Sequence, residues 1–391
     1  MRIVEILSNR FLFYRVASFA FFFLVAAAAF NGYYDKVGFA DYAKVTSASN
    51  SPLTLHGRFT LESSLDGTAD RPYVLRRLVP GIANLLNQIV PARWVDKFYN
   101  ARNNDGTYLH DKFSKSDVER DRNYFLRYWV VFGVEVLSYF LTAVTCYKFC
   151  VIAGFSKPSS ALTTMAFMLT IPYFMENGGG TYDSPEMLFF FLSAALAIQG
   201  RWLWLIPLAA IATINKESYL LFLPVLYPLL RQNFKANQTL YRLGVIAVPS
   251  VFVNLYLHWA YRLNPGGNVE VHLYQQLLDV KDVVLMSHPH MTYGILQPRT
   301  ENIFSVLFLL WAIRVAWPSI PKMYRQHFWI AFGINAPLFL VLGGIAEIRA
   351  LSMLYVSFVI LLATLFERWV RDAREALLPA THNEAERCLV S

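Results

Sequence analysis

Long apolar runs recur along this chain, from Phe11–Phe30 to a last run ending near Phe366. The first covers 20 residues, enough for a helix to cross a hydrocarbon core of about 30 Å. Inside a bilayer the backbone must satisfy its own hydrogen bonds, which helices do segment by segment. Composition agrees: hydrophobic residues make up 55% of the chain and charged residues only 16%, against about 25% charged in a soluble domain. The chain therefore reads as an all-α polytopic membrane protein. Its net charge of +8 is not a nucleic-acid signal, because much of it lies in short loops and the tail, where it sets topology.

Spans are expected near 11–30, 126–147, 161–175, 185–199, 202–213, 218–230, 243–261, 303–317, 328–346 and 350–366. The stretch Trp202 to Leu230 is ambiguous. As one helix it would run about 43 Å, too long for one untilted span and too short for two full ones. Asn215-Lys216-Glu217-Ser218 interrupts it. Loop charge decides for two segments. They put Arg231, Lys235, Arg242, Lys322, Arg325 and the tail arginines Arg368, Arg371 and Arg374 on the same side as Arg2, Arg10, Lys148, Lys157 and Arg201, as the positive-inside rule requires. The expectation is about ten transmembrane segments with both termini cytoplasmic. They form one membrane domain over 1–391, with an extracytoplasmic loop subdomain at 31–123 and a cytoplasmic tail at 367–391. The first run ends Ala26-Ala27-Ala28-Ala29-Phe30, a poor cleavage site, so no removable signal peptide is expected. All three cysteines fall at or beyond predicted cytoplasmic ends, so the large outer loop is expected to fold without disulfides. Within that loop, Pro72 to Tyr99 has helical apolar spacing flanked by arginines, the pattern of an amphipathic helix at the membrane interface.

This topology gathers the chemically interesting residues on the outer side. Asp35 and Asp41 head the first loop, and either can serve as a general base for a hydroxyl near the membrane surface. Their plainer roles are a pair with Lys36 and a helix cap. In Gly178-Gly179-Gly180-Thr181-Tyr182-Asp183-Ser184-Pro185-Glu186, proline suits the first helical position with Ser184 as N-cap. The next helix would then aim its positive end outward, where phosphate is attracted. Lys216 and Glu217 sit between two apolar segments, where ionisable groups are costly unless paired. Glu347-Ile348-Arg349 forms another outer turn, whose arginine can grip a phosphate in bidentate fashion. Arg76 and Arg77 flank the interfacial helix, and Glu135 lies inside the second span, facing the bundle interior. His288-Pro289-His290 alone is too little for a metal site, so no cofactor is expected and a divalent metal is unsupported. The chain carries no phosphate-binding P-loop, no dinucleotide glycine fingerprint and no Asp-x-Asp pair.

Three stretches resemble the multi-spanning GT-C glycosyltransferases. Gly32-Tyr33-Tyr34-Asp35 through Asp41-Tyr42-Ala43 is similar to the acidic motif opening that family's first outer loop. Arg71-Pro72-Tyr73-Val74-Leu75-Arg76-Arg77-Leu78-Val79-Pro80 is similar to an aromatic-x-x-Arg-x-Leu-x-Pro signature of some bacterial members. Tyr182-Asp183-Ser184-Pro185, the two short apolar segments after it and Asn215-Lys216-Glu217 resemble the core of short paired helices. The resemblance covers roughly 10–230, and the separate C-terminal domain of larger members is missing.

It implies inverting transfer of a sugar from a polyprenyl-phosphate donor to a glycan or lipid acceptor at the extracytoplasmic face. Asp41 or Asp35 would be the base. Asp183, Lys216, Glu217, Arg349, Arg76, Arg77 and Glu347 would surround the lipid phosphate. A bacterial inner membrane is the expected setting. Three alternatives stay open: a surface-polysaccharide polymerase or ligase of similar fold, a lipid-linked sugar transporter or flippase, and a non-catalytic scaffold.

Overall fold

A computed structural model describes residues 2–37, 60–104, 117–175, 180–267, 273–274, 290–293, 295–297, 303–343 and 348–377. These residues are helical apart from short turns and one hairpin, in which His290–Thr292 pairs antiparallel with Ile295–Gln297. Helix α1 is Arg2–Val37. The segment between the first two long apolar helices carries α2 (Leu61–Asp66), a 3-10 turn Tyr73–Leu75, α3 (Leu78–Ile89) and α4 (Ala92–Asn104). Then come α5 (Phe125–Ile152), α6 (Lys157–Phe174), α7 (Asp183–Ile198), α8 (Trp202–Asn215) and α9 (Tyr219–Leu230). The chain continues through α10 (Ala236–Ala260), α11 (Ile303–Ala316), α12 (Lys322–Leu342), a 3-10 turn Ile348–Leu354 and α13 (Tyr355–Leu377).

Each predicted span overlaps a helix among the described residues. Four stretches are long and apolar enough to cross a bilayer: Val16–Tyr34, Phe125–Ile152, Ala236–Ala260 and Ile348–Ala376. This is a helical membrane protein. The split of Trp202–Leu230 also holds, with α8 ending at Asn215 and a second helix starting at Tyr219. Between them Lys216 is extended (φ −157°, ψ 124°), so the helix cannot run through.

Local chemistry explains the other boundaries. Thr60 caps α2 through a reciprocal pair of bonds with Ser63, and Gly67 ends the helix at φ +73°, where a side chain would be strained. Gly200, at φ +69°, ends α7. The Asn233 amide then donates to the Ile198 carbonyl at 2.8 Å, satisfying a group that the helix end leaves open.

The amphipathic helix expected over Pro72–Tyr99 is two helices. Proline 91 lacks a backbone N–H and drives the preceding residue out of the helical region, and Val90 is extended at ψ 124°. Of the apolar face, Val79 and Ala83 are buried, whereas Leu85, Leu86 and Ile89 stay exposed. The first helix also runs seven residues beyond Phe30, so Asp35 lies on its last turn and not in the loop.

Helix α5 forms the spine. It packs against α1, α3, α6 and α7, while α8 pairs with α7 and α10, and α13 lies on α6. Phe149, Phe167, Phe190, Phe191, Tyr219 and Phe222 fill the interior. Helix α11 exposes Phe304, Leu307, Phe308, Leu310 and Trp311, and α10 exposes Phe252 and Trp259. Apolar faces this open belong in lipid rather than water. Asn264 and Arg71 clasp the segment after α10 to the segment around α2: the Asn264 amide donates to Gly67 O at 2.9 Å and Ala69 O at 3.0 Å, and Arg71 Nε donates to Asn264 O at 3.0 Å.

Candidate ionic site at the helix ends

Helix α7 begins with two carboxylates, Asp183 and Glu186, in its first turn. Three residues apart, they share one face of the helix. The helix N-terminus favours negative charge there, but both are buried, and buried carboxylates need partners. The extended Lys216 supplies one. Its ammonium donates to Asp183 Oδ1 at 3.2 Å and Glu186 Oε2 at 2.8 Å. Arg349, from the 3-10 turn, donates to Asp183 Oδ2 at 2.8 Å, and the Gly180 N–H donates to the same oxygen at 2.9 Å. Asp183 thus takes charge-assisted bonds on both oxygens.

Tyr182 is the platform beside these ions. The Arg76 guanidinium lies 3.9 Å from its ring centroid, and Lys216 Nζ is 5.3 Å away. Arg76 forms a looser pair with Glu217 at 3.7 Å. The Asn215 amide donates to the Tyr182 carbonyl at 2.7 Å, and Ser218 Oγ reaches Glu186 at 3.4 Å. Three cations and three carboxylates therefore meet where α7, α8, the start of α9 and the 3-10 turn come together.

Electrostatics at the helix ends follows from this. Burial alone would raise the Asp183 carboxyl, but Lys216 and Arg349 outweigh it and hold the group below the usual aspartate value. Lys216 is pushed the other way: burial opposes its charge, and Glu186 and Asp183 more than restore it, so its ammonium is held above the usual lysine value. Arg76 is likewise raised, against burial, by Tyr182 and Glu217.

The residues singled out from sequence separate clearly. Asp183, Lys216, Glu217, Arg349 and Arg76 converge. Arg77, adjacent to Arg76, does not join them: its guanidinium donates to Ser64 O at 2.5 Å and lies 5.5 Å from the Tyr261 ring, tying α2 to the end of α10. Its backbone N–H donates to Ile214 O at 2.9 Å, which fixes the start of α3 against α8. Asp41 and Glu347 lie outside the described residues, as do His288 and the side chain of Asp35. The backbone of Asp35 is two residues past Tyr33, which is buried within electrostatic reach of Glu135, Asp183 and Arg349, so the end of α1 stands next to the cluster.

The capping expectation for α7 shifts. The helix begins at Asp183, two residues before Pro185, and Ser184 does not cap it. Its hydroxyl donates instead to Glu135, which is fully buried in α5 and has no partner for its second oxygen among the described residues. Sequence reading includes Glu186 at the end of the Gly178–Glu186 stretch, at the start of a predicted span, but gives it no role. Its spacing of three from Asp183 is the signal that marks it. It also missed Tyr182 as a platform and Asn335, which holds the 3-10 turn by donating to Ala350 O at 2.7 Å and accepting from the Met353 N–H at 3.1 Å. No group of three or more His, Cys, Asp and Glu side chains among the described residues is arranged to hold a metal ion. Comparison with known protein families, with curated proteins and with solved structures finds no match.

Proposed function

We propose that this chain is a membrane glycosyltransferase of the GT-C kind, moving a sugar from a polyprenyl-phosphate donor to an acceptor hydroxyl at the extracytoplasmic face. The observation that carries the reading is convergence: Arg76, Asp183, Lys216, Glu217 and Arg349 come from four separate stretches of sequence and meet in one cluster. They were singled out as groups to handle an anionic lipid. Ten membrane passes, cytoplasmic termini and a bacterial inner membrane belong to the same proposal, supported by the helix overlapping each expected span.

In the reaction, Asp41 or Asp35 takes the proton of the acceptor hydroxyl. The acceptor oxygen attacks the anomeric carbon, the bond from that carbon to the phosphate oxygen breaks with inversion, and the lipid phosphate leaves with the electron pair. Lys216, Arg349 and Arg76 are preorganised cations beside the developing negative charge. Their carboxylate partners keep the cluster neutral without the lipid, so the site does not hold unpaired cations in a membrane.

The test is transfer from polyprenyl-phosphate sugars by the full chain in nanodiscs. Asp41→Asn, or failing that Asp35→Asn, is expected to lower the rate about 10²–10⁴-fold with normal expression. Full activity in both single variants removes the base assignment, and no turnover of any lipid-linked sugar refutes the enzyme. A second reading, a lipid-linked sugar transporter, is favoured by one observation: Glu135 and Glu186 are carboxylates buried within apolar helices. Counterflow of a lipid-linked sugar in vesicles without chemical turnover would select it.

A further inference from the structure

The ion cluster is tied unevenly. Lys216, Arg349, Asp183 and Glu186 are joined by bonds of 2.8 to 3.2 Å. Arg76 and Glu217 meet only at 3.7 Å, and each keeps a buried atom with no partner among the described residues, Nε of Arg76 and Oε2 of Glu217. A third such atom is Oδ1 of Asn215, whose amide is held by the Tyr182 carbonyl. Arg76 stacks on the Tyr182 ring, Asn215 bonds the Tyr182 carbonyl, and Glu217 pairs with Arg76. Other buried polar atoms among the described residues also lack a protein partner, but these three lie on residues linked through Tyr182 and the ion cluster, where bonds from a ligand would offset the cost of leaving them unpaired.

Their chemistry says which ligand. One atom is a donor, the Arg76 Nε–H, and two are acceptors, the Glu217 and Asn215 oxygens. An ionised phosphate offers acceptors only. It would satisfy Arg76 and leave two acceptor oxygens facing it. A hydroxyl group both donates and accepts. We propose that Arg76, Glu217 and Asn215 form a hydroxyl-reading edge, which binds a ligand bearing neighbouring hydroxyls. One hydroxyl accepts from Arg76 Nε–H and donates to Glu217 Oε2, and a second donates to Asn215 Oδ1. Resting on the glycosyltransferase reading, this edge recognises the sugar of the donor, while Lys216 and Arg349 face its phosphate.

The experiment compares two probes on the full chain in nanodiscs: bare polyprenyl phosphate, and a panel of polyprenyl-phosphate hexoses and pentoses. The wild type is expected to bind at least one sugar-bearing lipid about tenfold more tightly than the bare lipid, the scale of one good hydrogen bond. Glu217→Gln replaces an acceptor with a donor, and Arg76→Lys keeps the charge but removes Nε–H. Each is expected to bring the ratio near one, the two affinities being compared within the same variant so that any change in binding of the phosphate itself cancels. If Glu217→Gln fails to fold, Arg76→Lys decides. An unchanged ratio in the folded variants, or no sugar preference in the wild type, overturns the hydroxyl-reading edge and leaves the transferase reading standing. A wild type that binds neither lipid overturns both.

Discussion

Replacing Lys216 by methionine keeps most of its volume and removes a charge shared by two carboxylates. Asp183 and Glu186 have side chains only 4% and 3% exposed. Asp183 retains Arg349 at 2.8 Å and the Gly180 N–H at 2.9 Å, whereas among the described residues Glu186 keeps as a side-chain hydrogen bond only the longer Ser218 contact at 3.4 Å. The loss therefore falls mainly on Glu186. Leaving a buried charge uncompensated costs about 3–5 kcal/mol. The protein has one escape, which is to protonate Glu186. At pH 7 that costs at most about 3.7 kcal/mol, the figure for an ordinary glutamate near 4.3 at 1.36 kcal/mol per unit, so the loss should saturate at or below that value. By the same arithmetic it should shrink to at most about 1.6 kcal/mol at pH 5.5. Lys216→Met/Glu186→Gln removes the stranded charge and should recover most of the loss, giving a coupling of about 2–3 kcal/mol. The assay is reversible unfolding in mixed micelles for wild type, both single variants and the double variant, at both pH values. Additivity within about 0.5 kcal/mol, or a Lys216→Met loss indifferent to pH, would refute the idea that Lys216 works by neutralising buried carboxylates.

The wild type should show a stability plateau. Asp183 is held below the ordinary aspartate value, so its contribution is present above that value and lost as pH falls through the depressed one; Lys216 is held above the ordinary lysine value, so its contribution is present below that value and lost as pH rises through the raised one. Unfolding free energies across pH test this, and a decline between pH 5 and 8 that Asp183→Asn abolishes would contradict it. Asn335→Leu should free the 3-10 turn that presents Arg349, lowering stability by about 1–3 kcal/mol and slowing transfer beyond what the folded fraction accounts for. Unchanged stability and rate would mean that the turn is held by something else.

The apolar helices were legible because each is a continuous run bounded by charge or glycine, and the break at Lys216 because an ionisable pair interrupts an apolar stretch. The converging residues were legible for the same reason: Asp183, Lys216, Glu217 and Arg349 stand where apolar sequence stops. What escaped depends on partners far away in the chain. Ser184 has the local pattern of a cap, but a buried glutamate from α5 takes its hydroxyl, and local capping loses. Arg76 and Arg77 look alike in sequence, yet consecutive side chains point apart and only one reaches Tyr182. Glu186 was given no role because Pro185 and the phenylalanines after it obscured its spacing from Asp183. The unbroken amphipathic pattern across Pro91 misled because apolar periodicity is blind to a missing N–H.

The bond between Arg349 and Asp183 joins residues 166 positions apart. At about 5–20 residues per second of synthesis, roughly 8–33 s pass between the appearance of the aspartate and that of its arginine. Lys216 arrives much sooner, 33 positions after Asp183. A chain halted before the 348–354 turn therefore holds three carboxylates against two cations among the residues of the cluster. Charge balance at this site therefore waits for the 348–354 turn, made long after the carboxylates it helps to neutralise.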